Sequence, residues 1–117
     1  MEVEQKINEI IERIRTGVTM SPATAAEYHR IVTGQYAFLS QFYIELLERK
    51  AETTSLFRKT EKAKSEAEAQ RLFDLSQDGK KLLSVTQNMR TMEKMMSTLK
   101  LTAETEQRSI QNQSHHT

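Results

Sequence analysis

The sequence predicts an all-α protein, a helical bundle centred on a long antiparallel helical hairpin with a short amphipathic helix at its N-terminus. Leu82, Val85, Met89, Met92, Met96, Leu99 and Ala103 recur at alternating steps of three and four, which sets one apolar seam along one side of a long helix. A second ladder, Tyr28, Val32, Leu39, Phe42 and Leu46, runs in the same register with Gln35 at its missing rung. Only three glycines and one proline punctuate 117 residues, so the chain has few places to turn.

Four helices follow in order, over about residues 2–16, 22–50, 55–62 and 66–108, in one domain. Val3, Ile7, Ile10, Ile11 and Ile14 share one face of the first, with Glu2 to Lys6 and Glu9 to Arg13 as i,i+4 pairs on the other. Gly17 is placed to end it. Ser21 before Pro22 has the order of an N-cap and first helical residue, and Thr24 with Glu27 offers an alternative capping box. Ile31, Tyr36, Tyr43 and Leu47 widen the stripe of this second helix. Lys50 to Ser55 has no apolar ladder and carries the β-branched pair Thr53 and Thr54, where a break is expected. Ser65 with Glu68 makes a capping box that opens the last and longest helix. Gly79 either stops a helix after Asp78 or, since Leu75, Gly79 and Leu82 keep the seam's spacing, lies inside a continuous helix at a close contact; the second is preferred. Residues 109–117 read as a polar flexible tail.

Composition limits the chemistry. Seventeen basic and sixteen acidic residues leave a net charge of +1, so no global field draws the chain to nucleic acid or anionic lipid. It has no cysteine, which removes disulfides, thiolate nucleophiles and sulfur-ligated metal. No apolar run approaches the roughly 20 residues of a membrane span, and Met1 to Arg15 is amphipathic and acidic where a signal peptide is basic and then apolar. The expectation is a cytoplasmic protein with no membrane partner. No glycine-rich phosphate loop, His-Glu metal signature or serine elbow is present, so neither catalysis nor a cofactor is expected. His115 and His116 are adjacent near the C-terminus, a poor arrangement for converging on one metal ion. His29 reads as a surface or boundary residue.

Two surfaces remain as candidates for binding. Leu82, Met89, Met92, Met96 and Leu99 form the core or oligomer seam, and Met95, one step beside it, is the methionine expected to be exposed as a partner surface. Arg58, Lys59, Lys62 and Lys64 cluster in the expected connector and are candidate phosphate contacts. Lys80, Lys81, Arg90, Lys94 and Lys100 scatter around the last helix without an aromatic platform, so nucleic acid is not the favoured partner. At 1.5 Å per residue the hairpin helices measure about 45 and about 60 Å. The overhang leaves apolar rungs uncovered, so a homo-oligomer is expected beside a protein partner.

Glu27-Tyr28-His29, Tyr36-Ala37-Phe38-Leu39-Ser40, Ser65-Glu66-Ala67-Glu68-Ala69 with Arg71, Asp78-Gly79 and Met92-Glu93-Lys94-Met95-Met96-Ser97-Thr98-Leu99-Lys100 follow one another between Glu27 and Glu106. In this order they resemble small helical proteins encoded by tailed bacteriophages. That resemblance implies a non-enzymatic accessory factor encoded near early genes of DNA recombination and replication, acting in the host cytoplasm on a protein of those processes. An inhibitor of a host defence or regulatory protein, a direct nucleic-acid binder and a virion assembly component are the alternatives.

Overall fold

Capping chemistry fixes where the helices after the first one start. The computed structural model describes the backbone of residues 2–115 and the side chains of residues 3–104, and shows an all-α bundle of α1 (Glu2–Arg15), α2 (Pro22–Lys59), α3 (Glu66–Leu75) and α4 (Gln77–His115). After α1, Gly17 takes φ 69°, its N–H donating to Ile14 O at 3.2 Å and the Val18 N–H to Arg13 O at 3.3 Å, the paired closure of a Schellman motif. Ser21 Oγ accepts from the Thr24 N–H at 3.1 Å, with Pro22 opening α2. Ser65 Oγ accepts from the Glu68 N–H at 3.1 Å, and Glu68 returns a carboxylate oxygen to the Lys64 N–H at 3.2 Å.

Three sequence expectations are corrected. No break occurs at Lys50 to Ser55: α2 runs unbroken to Lys59, and the short helix expected at 55–62 is its last turns. Thr54 is buried there, its hydroxyl donating to Lys50 O at 2.8 Å, so the few tenths of a kcal/mol that a β-branched residue costs are offset by packing. Nor is the last helix continuous, because it breaks at Ser76. Ser76 closes α3 in an extended conformation (ψ 167°), and its Oγ accepts from the Gly79 N–H at 3.1 Å to cap α4. A hydroxyl that caps a new helix competes with the backbone for that donor. Finally, α4 continues to His115, past the limit expected near Arg108. The side chain of His115, and all of His116, lie outside the described residues. With 38 and 39 residues, α2 and α4 are each about 58 Å long, where about 45 and about 60 Å are expected.

The chain divides into two compact units, Met1–Tyr36 with Thr91–Thr117, and Ala37–Arg90. In the first, Ile7 and Ile10 of α1, Ala25, Tyr28 and Val32 of α2, and Met92, Met95 and Leu99 of α4 form the core with Met20. Thr33 Oγ1 donates to Met96 Sδ at 3.3 Å and Tyr36 Oη to Glu93 Oε1 at 2.7 Å. Position rises along α2 as it falls along α4, so the pair is antiparallel. Arg13 does not pair with Glu9; it donates to the Tyr28 hydroxyl while Lys6 Nζ sits 5.3 Å from the Tyr28 ring centre. In the second unit, Leu46, Thr54, Ala63, Ala69, Phe73 and Val85 are buried, with Lys50 Nζ 5.8 Å from the Phe73 ring centre.

Gly79 has the close contact expected of it, against the turn that ends α3. A Cβ there would lie 2.1 Å from Phe73 O and 2.7 Å from Asp74 Cα, backbone atoms that no rotamer can move. Gly79→Ala should therefore cost about 2 kcal/mol despite its gain in helix propensity. Gly34, with nothing within 4 Å of its Cβ position, should gain about 1 kcal/mol as alanine. Urea denaturation of both variants checks this, and equal stabilisation by the two would show that the junction yields.

Candidate functional site

The seam identified in the sequence is the inner face of α4. Val85, Met92 and Leu99 are buried, while Leu82, Met89 and Met96 are half-buried. Met95 is not the exposed partner surface that its place beside the ladder suggests. At 5% exposure it is core. In its unit α4 packs with two other helices, so its buried arc is wider than a two-helix seam and takes in the neighbouring position.

The basic cluster is exposed, but its members have different roles. Arg58 and Lys59 occupy the last turn of α2, where cations oppose the negative end of the helix dipole. Lys62 lies with Nζ 4.9 Å from the Phe57 ring centre. Lys64 gives its backbone N–H to Glu68. The connector between them is fixed by Glu61 at φ 61°, whose N–H donates to Arg58 O at 3.3 Å, and by Ala63, which is buried and donates to Phe57 O at 3.0 Å.

The surface that sequence reading missed lies on α2. Ile44 is 54% exposed and Leu47 39%, and with exposed Ala51 they take steps of three and four along one face. Ala37 and Ser40 continue that spacing towards the N-terminus. Its signal is a second ladder, turned away from Leu39, Phe42 and Leu46, to which Leu47 belongs in place of the core stripe that its spacing suggests. Beside this face, Ala51, Thr54, Ser55 and Arg58 of α2 with Glu66 and Gln70 of α3 line an open hollow. Glu45, Glu48, Glu52 and Lys59 are exposed on the opposite flank of the same face and make no ion pair with a described residue.

Elsewhere the chemistry is sparse. A second hollow is lined by Arg13, Val18, Met20, Thr98 and Thr102 among others. Tyr36 holds its proton more tightly than an ordinary phenol, through its hydrogen bond to Glu93, partial desolvation and the carboxylate's charge. Among the described residues no group of three His, Cys, Asp or Glu side chains is placed to hold a metal ion, and no helix is long and apolar enough to cross a membrane. Comparison with protein-family models, with curated proteins and with solved structures finds no match.

Proposed function

We propose that this is a non-enzymatic interaction protein whose work is to dock on another protein. One observation carries the reading. Between Ala37 and Arg90, the large apolar side chains Phe38, Ile44, Leu47, Leu56, Leu75 and Leu83 are exposed, whereas Leu46, Phe73 and Val85 are buried. A unit that leaves this much apolar surface in water relative to its core gains by covering it with a partner. The resemblance to small helical phage proteins directs the choice of partner to a protein of DNA recombination or replication.

A second reading, direct binding of nucleic acid, is favoured by the exposed Arg58, Lys59, Lys62 and Lys64. Salt separates the two. Phosphate contacts would make log affinity fall with log salt by a slope of roughly 0.7 to 0.9 per contact. The expected result is weak or absent binding of single- and double-stranded DNA near physiological salt, with little further change when all four residues become glutamate and helicity is retained. Tight, salt-sensitive binding abolished in the four-site variant would reverse the ranking.

A further inference from the structure

Arg13 is a half-buried cation without a carboxylate. The sequence sets Glu9 and Glu12 within reach of it, but Glu9 pairs with Lys6 at 3.3 Å and Glu12 with Arg15 at 2.9 Å, and Arg13 makes no ion pair with a described residue. Tyr28, itself buried, holds the guanidinium instead: Arg13 donates to the phenol oxygen, with its Cζ 5.4 Å from the ring centre. That contact uses one of five N–H donors in a planar fork, and so fixes the direction of the rest before any ligand arrives. We propose that the hollow beside Arg13 binds a small carboxylate with an apolar body, its two oxygens on the guanidinium.

The walls match that chemistry. The hollow measures about 310 Å³, at the small end of the range of ligand sites, and Ile14, Val18 and Met20 give it an apolar side. Gly17 places them. In its left-handed conformation it ends α1 and turns the chain so that Val18 and Met20 line the hollow, and its own Cβ position has nothing within 4 Å, which leaves the rim open there. From α4, Thr98 and Thr102 contribute hydroxyls. Thr102 gives its proton to Thr98 O at 2.9 Å, so Thr98 is the α4 donor left for a bound oxygen. One guanidinium matches one negative charge, and the pair is stronger in a partly desolvated hollow than on open surface. A phosphate dianion would leave a charge unmatched and the apolar side in water. All of these residues belong to the unit of Met1–Tyr36 and Thr91–Thr117, so the site shares none with the docking surface between Ala37 and Arg90.

A free aliphatic acid and the C-terminus of a peptide present the same group, and two probes separate them. Hexanoate and N-acetyl-leucine are titrated into the isotope-labelled full chain and followed by nuclear magnetic resonance. Both should give saturable shifts centred on the amides of Gly17, Val18 and Thr98 and on the Arg13 side-chain N–H; tighter binding of hexanoate identifies a free acid, and of N-acetyl-leucine a peptide terminus. Hexanamide, of similar size without the charge, and acetate, with the charge but little apolar body, should each bind at least about tenfold more weakly. Arg13→Gln should erase the preference for hexanoate over hexanamide. Because Arg13 also braces Tyr28, a second variant is placed at Val18, which is 48% exposed, so that the circular dichroism spectrum should not change. Val18→Asp should weaken hexanoate about tenfold by setting a like charge beside it, whereas Val18→Lys should not. No saturable shift at millimolar hexanoate, equal binding of hexanoate and hexanamide, or indifference to Val18→Asp would each overturn the proposal.

Discussion

Met95→Asp should unfold the protein at neutral pH, and Met96→Asp should not. The two methionines are neighbours in sequence, but Met95 is 5% exposed whereas Met96 is half-buried beside the Thr33 hydroxyl. An ionised carboxylate at position 95 would lose its water without gaining a partner, at a cost of about 4 kcal/mol or more. That is comparable with the whole stability of a small domain, about 5–15 kcal/mol. At position 96 the carboxylate can turn towards solvent, and about 1 kcal/mol is expected. Thermal melts followed by circular dichroism distinguish the two. Equal tolerance of both substitutions would place Met95 at the surface and reinstate it as a docking residue.

Phe73→Ala should be the most damaging truncation in the unit from Ala37 to Arg90. Phe73 is fully buried, is the largest fully buried side chain among the described residues, and carries the Lys50 ammonium over its ring. Losing the ring removes its transfer free energy and leaves a cavity that a helix held by caps at Ser65 and Ser76 cannot close, for an expected loss of about 3–5 kcal/mol. Leu75→Ala, at 64% exposure, should change stability by less than about 0.5 kcal/mol. Urea denaturation midpoints measure the difference, and similar losses at both positions would contradict the burial pattern.

What could be read from the residues was whatever short-range chemistry decides. Gly17, Ser21 with Pro22, and Ser65 with Glu68 mark helix ends through hydrogen bonds made within four residues, and the structure places those ends where they point. The junction at Ser76 was less legible because two local signals conflict. The seam's spacing passes through Gly79 without interruption, whereas the Ser76 hydroxyl offers a cap, and the close approach of the first turn of α4 to the Phe73 carbonyl decides between them. Thr53 and Thr54 misled in the opposite sense, since weak propensity suggests a break that burial of Thr54 overrides. Met95 and the face of Ile44 and Leu47 illustrate the same limit for sites. Spacing reports that apolar residues share a face, but which part of a wide stripe is covered depends on how many helices pack against it.

Docking through apolar surface, instead of through the basic connector, can be tested by site-specific photocrosslinking in cells producing the full chain. A photoreactive residue is placed at Phe38, 65% exposed, or at Lys59 in the last turn of α2. The Phe38 probe should yield a discrete protein adduct, and the Lys59 probe should yield no nucleic-acid adduct beyond an exposed control at Lys81. Nucleic-acid adducts concentrated at Lys59, with no protein captured at Phe38, would contradict a protein-docking function.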